Sequence, residues 1–292
     1  MIKLRQLVYS DVRPRMGALS EQELDKLVLA QIILERWRII RDELQFIAHH
    51  HSVVETALEK QVEQVSADMW EEVEAAEAAG DLDLAQDIVE GYGSGCYDRE
   101  HTYPTMHRSA MLLTLYSFTE ATLAFYCRLL RKYLDMIPPE PKSGRVENLK
   151  HWLRNINVNF VSSAEYWAEI DGFRMLRNSI VHSYGDIGSN ARLESYIEDC
   201  PHISFSETGL GSCHITGNGF ELESTFVQHA TTSIALLFEK LTDDLRPLFP
   251  ASEDHIIAII EQHDRLEQQQ REAEKSRSSG EQTIAEILRD II

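Results

Sequence analysis

Apolar residues recur at spacings of three and four along most of this chain, the period of an amphipathic helix. Leu24, Leu27, Ile32, Ile33, Trp37, Ile40, Leu44 and Ile47 form a broad apolar face. Ser20 and Glu23 are spaced as a capping box in front of it. Beyond His49-His50-His51 the stripe resumes as Val54, Leu58, Val62, Val65, Met69 and Val73. This predicts a long arm or a hairpin of helices. Three successive histidines cannot share one helix face, so the run is expected to be solvent-exposed or to break the helix rather than to bind metal. Gly80 punctuates the arm, and Gly91-Tyr-Gly-Ser-Gly95 is expected to mark a domain junction near residue 95.

A second apolar stretch, from about Ser109 to Met136, is apolar all round and stops before Pro138-Pro139. Such a helix belongs at the centre of a bundle. A short helix fits 145–156, and Ser162-Ser-Ala-Glu165 reads as a capping box opening a helix that Gly185 closes. Residues 186–222 are richer in glycine and alternate in HISFSE and CHITGNGFELE, which predicts a small hairpin. Ser224 then opens a helix from Phe226 to Leu245 that Pro247 ends. Residues 252–274 read as an exposed helix, KSRSSGEQ as a linker and TIAEILRDII as a short amphipathic piece. The expected fold is all-α with a minor β-hairpin, in three parts: a helical arm (1–95), a helical bundle (96–250), and a C-terminal helix and tail (251–292).

Composition adds constraints. In 292 residues, 43% hydrophobic and 26% charged, nothing suggests a disordered or disulfide-stapled chain. With no run of about 18 apolar residues and no leader-like start, a cytoplasmic protein without a membrane partner is expected. Cys96, Cys127, Cys200 and Cys213 lack a repeated spacing and are expected to be free thiols. The net charge of −20 disfavours generic coating of nucleic acid. It is uneven: residues 54–90 hold twelve acids and one Lys, whereas Arg128, Arg131, Lys132, Lys142, Arg145, Lys150 and Arg154 outnumber the three acids of 128–154. A basic face of that kind suits a phosphate chain, although most charge runs are solvated helix surface.

The most informative segment is FRMLRNSIVHSYG, residues 173–185. Helical spacing places Tyr166, Ile170, Phe173, Leu176 and Ile180 on one side and Arg174, Asn178 and His182 at four-residue steps on another. Arg177 is turned about 140° from His182 and relies on its length to reach that neighbourhood. Arginine, asparagine and histidine on one exposed face form a plausible phosphate-handling site. Arg145 and His151 have a comparable spacing but lack the same surroundings. Cys200, His202, Cys213 and His214 match no familiar zinc module, so no metal or other cofactor is expected.

The Arg-Asn-x-x-x-His string near a helix end resembles the HEPN superfamily, the higher eukaryotes and prokaryotes nucleotide-binding domain. The match includes the preceding central helix with its internal Glu120 and the hairpin and closing helix that follow. It spans about residues 100–248. The resemblance implies a helical bundle whose homodimer joins two Arg-x4-6-His motifs into a metal-independent endoribonuclease site, often in toxins or anti-phage defence. On that reading Arg177, Asn178 and His182 are catalytic, and Arg174, Glu120, Arg128 and Arg131 contact RNA. A neutral imidazole can take the 2′-hydroxyl proton while a guanidinium stabilises the phosphate charge, leaving a 2′,3′-cyclic phosphate. The acidic arm or the C-terminal tail is expected to serve a protein regulator. The rival expectation is a non-catalytic HEPN-like dimerisation and partner-binding scaffold.

Overall fold

The computed structural model describes residues 21–134, 144–208 and 215–249. The chain divides into a unit of residues 35–244 and a second made of the residues before and after it. The expected capping box at Ser20, the Pro138-Pro139 stop, Cys213, His214 and the C-terminal tail lie outside the described residues.

Helix α1, Glu21–Ala78, is continuous for 58 residues, so the triple histidine does not break it. His49 and His50 are exposed as expected. His51 is instead only 5% exposed. Its turn of helix faces the body of the protein, and its ring nitrogens meet His107 and the Ser224 carbonyl. Gly80, at φ +78°, supplies the left-handed residue that ends α1, and the Asp81 carboxylate caps α2, Leu82–Tyr97, by accepting from the Leu84 amide. Val73 and Ala76 pack on Ala85, with Met69 and Ile88 beside them, so the end of α1 and α2 form a helical hairpin.

Gly91, Gly93 and Gly95 lie inside helical backbone, and the helix passes through a π-type turn, Asp98–Thr102, into α3, Tyr103–Leu134. The expected junction near residue 95 therefore falls where the backbone is uninterrupted. Within the 35–244 unit, α1 is bound to α3 by the paired contacts of Arg108 with Glu55, 3.0 and 2.6 Å. By composition, one 18-residue window in Leu82–Leu134 is apolar enough to cross a membrane, and 44% of it is buried in the protein.

Helix α3 is the centre of the core, with Leu112, Leu115, Leu123, Tyr126 and Leu130 fully or almost fully buried. Against it pack α4, Val146–Asn155, and α5, Ala164–Ser183. Helix α4 ends where Asn157 takes a left-handed conformation, φ 66°, a geometry that Asn tolerates better than most residues. Helix α5 does not use its expected capping box. The carboxylate of Asp244 accepts the amides of Ser162 and Ser163, at 2.8 and 3.0 Å, and the Ser163 hydroxyl. A residue 81 positions away thus does what the local Glu165 was expected to do.

Residues 186–222 contain the expected hairpin and a helix that their glycine content disguised. Asn190 accepts from the Leu193 amide and caps α6, Ala191–Asp199, which buries Leu193 and Ile197. Strands β1, Ile203–Thr208, and β2, Ile215–Leu222, pair antiparallel with Ile203 opposite Leu222 and Phe205 opposite Phe220. Helix α7, Phe226–Leu245, closes the unit, with Phe238 stacked on Tyr126 at 5.7 Å and Phe226 edge-on to Phe173 at 5.8 Å.

The approach of α5 to α6 depends on Gly172, where an added Cβ would clash with the Tyr196 ring. Gly172→Ala is expected to destabilise the protein by about 1–3 kcal/mol through overpacking, read as a lower urea midpoint with an unchanged slope.

Candidate functional site

Burial of Ile170, Phe173, Leu176 and Ile180 fixes the rotation of α5. The opposite stripe, Arg174, Asn178 and His182, then faces outward and lines an open groove of about 510 Å³ with Asp186, Asn190 and Arg192. The far wall comes from the turn after α5 and the start of α6. Helix α5 stops abruptly because two successive residues are left-handed, Tyr184 at φ 52° and Gly185 at φ 84°. The Tyr184 and Gly185 amides both donate to the Ser179 carbonyl, and the Ser179 hydroxyl donates to the Asp186 carbonyl at 2.7 Å. This closure turns the chain back so that Asp186 and Asn190 stand across from His182.

His182 is exposed at the groove. Arg177 is half-buried and does not line it, but its Nη1 donates to Asn178 Oδ1 at 3.1 Å, so guanidinium and groove are linked through Asn178. On its other side Arg177 acts on Glu120 of α3. Burial raises the Glu120 carboxyl above its ordinary value, and Arg177 opposes that rise. Glu120 is therefore a neighbour of Arg177 and does not line the groove.

Arg174 reaches the groove with its charge already engaged. Its Nε lies 2.8 Å from Glu147 and 2.9 Å from Asp171, and Nη2 is 2.8 Å from the same Asp171 oxygen. Burial works against its charge, but the Asp171 hydrogen bonds and the two carboxylates leave its pKa raised. Arg192, 74% exposed, holds the other Asp171 oxygen at 2.6 Å. Neither Arg192 nor Asp171 is among the expected site residues: Arg192 belongs to the unexpected α6, whose signal is Asn190 followed by Leu193 and Ile197 at helical spacing, and Asp171 stands three residues before Arg174 on α5, a spacing at which helical side chains meet.

Arg128 and Arg131 stand near the end of α3 and do not line the groove. The Arg128 guanidinium lies over the Phe125 ring at 5.9 Å, and Arg36 of α1 lies over the same ring at 5.2 Å. Lys150 and Arg154 of the expected basic face are spent in the same way: Lys150 is 4.6 Å from the Trp167 ring and Arg154 5.7 Å from Phe160. Burial and the neighbouring Arg154 lower the Lys150 pKa. Arg145 and His151, the second pair with motif-like spacing, are exposed and away from the groove lining.

Behind α5 lies a polar cluster that the sequence did not announce. Glu169 Oε2 accepts from the Tyr196 hydroxyl at 3.0 Å and lies 3.2 Å from His229 Nε2. The His229 ring stacks on His202 at 4.6 Å, and His202 Nδ1 is 2.8 Å from the Thr225 hydroxyl. The His229 hydrogen bond holds the Glu169 carboxyl below its ordinary value, and burial lowers His202. Cys200, from the rejected zinc set, is a buried free thiol whose pKa is raised by burial. Among the described residues, one group of potential metal ligands has its donor atoms within 4.8 Å of one another: His51, Glu55 and His107.

No protein-family model, curated protein or solved structure matches this chain.

The Glu169 carboxylate contributes stability above its unfolded pKa near 4.3, and that contribution is lost as pH falls through the lower folded value. Glu169→Gln is therefore expected to lower the melting temperature at pH 7 and to flatten its decline below about pH 4.5. Melting curves across pH 3–7 give both readings.

Proposed function

We propose that this protein is a HEPN-like, metal-independent endoribonuclease that acts as a homodimer. The observation that carries the reading is the grouping at the end of α5: exposed His182 and half-buried Asn178 share one open groove, and Arg177 is hydrogen-bonded to Asn178. In this mechanism His182 takes the proton from a ribose 2′-hydroxyl, and the oxygen attacks the adjacent phosphorus. Arg177 and Asn178 hold the phosphate oxygens as negative charge builds. The products are a 2′,3′-cyclic phosphate and a 5′-hydroxyl end. Dimerisation brings a second α5 to the groove, so that the guanidinium of one copy and the imidazole of the other flank one scissile bond. Toxin or anti-phage action is the biological setting this class of activity fits.

A second reading, a non-catalytic HEPN-like scaffold, draws support from Arg174. A cation held by both Asp171 and Glu147 has little charge left for a phosphate, and the overall −20 charge favours a basic protein partner over RNA.

The readings separate on purified protein incubated with RNA in the presence of a chelator. The nuclease reading expects cleavage to fall about 10²–10⁴-fold in His182→Ala. Arg177→Lys, which keeps the charge but loses the planar fork, is expected to fall about 10²–10³-fold. DNA of the same sequence is expected to remain intact. Cleavage retained in His182→Ala removes that residue from the mechanism, and no cleavage by the unmodified dimer leaves the scaffold.

A further inference from the structure

His51 and Glu55 are four residues apart on α1 and therefore share one face. That face meets His107 on α3. The His51 Nδ1 and His107 Nε2 atoms are 3.1 Å apart, with the rings stacked 10° from parallel, and His51 Nδ1 is 3.8 Å from Glu55 Oε1. Two ligands of a tetrahedral zinc, each at about 2.0–2.1 Å, lie about 3.3 Å apart. The His51–His107 edge is thus close to that length, the His51–Glu55 edge is somewhat longer, and all three donor atoms lie within 4.8 Å of one another, a spread that small side-chain shifts can close around one ion.

The groups behind these donors hold them in ligand geometry. His51 Nε2 is 3.0 Å from the Ser224 carbonyl. Because a carbonyl only accepts, Nε2 carries the proton and Nδ1 accepts from the His107 Nε2–H at 3.1 Å; a metal ion would take the place of that proton, which moves to His107 Nδ1. Arg108 orients Glu55 through both carboxylate oxygens and is itself anchored on the Leu222 carbonyl at 3.0 Å. A carboxylate has about four lone-pair positions, so a paired Glu55 retains one for a metal. His51 and Glu55 are buried, at 5% and 8% exposure, whereas His107 is only half-buried and leaves one side open to water.

We propose that His51, Glu55 and His107 form a binding site for a divalent transition metal of the zinc class, with three protein ligands and a fourth position open to solvent. Two imidazoles and one carboxylate favour zinc, cobalt or nickel over magnesium or calcium, which prefer all-oxygen shells. The site joins α1, α3 and, through Ser224 and Leu222, the chain around the end of β2. It lies apart from the Asn178–His182 groove and does not depend on the ribonuclease reading, whose assay runs in chelator.

The test is calorimetric titration of the chelator-stripped full-length protein with ZnCl₂, repeated with CoCl₂ followed by visible absorption. The expected result is one strong equivalent per chain, d–d bands typical of four-coordinate Co²⁺, and a higher melting temperature on loading. His107→Ala, at the half-buried position, is expected to lose at least 100-fold in affinity. His49→Ala/His50→Ala, which removes the exposed neighbours, is expected to keep full affinity. If His107→Ala does not fold, His107→Gln takes its place, and the same loss is expected. Unaltered strong binding in the His107 variant, loss of binding in the His49/His50 variant, or no strong equivalent in the unmodified protein would overturn the site.

Discussion

The rotation of α5 against α3 is the constraint on which the rest of the 35–244 unit depends. Ile170, Phe173, Leu176 and Ile180 are each at most 6% exposed, and burying four large apolar side chains is worth several kcal/mol, on the order of 1.5–3 each. That sum is larger than any single polar contact on the helix can offset. Asn178 and His182 consequently have no choice of direction: once the apolar stripe is inside, they are outside. The Asp244 carboxylate fixes the helix at its start and the paired left-handed residues Tyr184 and Gly185 fix it at its end.

Electrostatics then sorts the cationic residues into two kinds. Arg174 and Arg192 neutralise Asp171, Arg108 neutralises Glu55, and Lys150 and Arg154 cover aromatic rings. In a chain with 28 basic against 48 acidic residues, most cations are bound to be near an acid, and a basic run in the sequence overstates the free positive charge of the folded surface. Arg177 differs in kind. Its hydrogen-bond partner Asn178 is neutral, and the nearby Glu120 is one whose ionised form is disfavoured by burial. Its charge is less fully cancelled than that of Arg174, and this sets it apart from the other arginines of α5.

Periodicity made the long elements legible. The central helix, α4, α7 and the hairpin strands fall close to where apolar spacing, proline and alternation put them, because each is decided by neighbours within a few residues. The four-residue ladder of Arg174, Asn178 and His182 was visible for the same reason. What escaped were features decided across long sequence separations. Ser162-Ser-Ala-Glu165 has the form of a capping box, but a buried aspartate from α7 supplies stronger acceptors. Three adjacent histidines read as polar surface, since nothing local says that the third faces His107, 56 positions away. Helix α6 was hidden because Gly188 and the glycines that follow it outweighed nine residues with only two buried positions.

The helical hairpin made by the end of α1 and α2 has a further consequence for how the molecule responds to its medium. Twelve carboxylates and one lysine lie between residues 54 and 90, while the apolar contact joining the two helices consists of Val73, Ala76 and Ala85 with Met69 and Ile88. Like charges on adjoining helices repel over distances that a Debye length of about 10 Å at 0.1 M salt only partly screens. Screening of those carboxylates by salt is accordingly expected to favour closure of this hairpin, and dilution to oppose it.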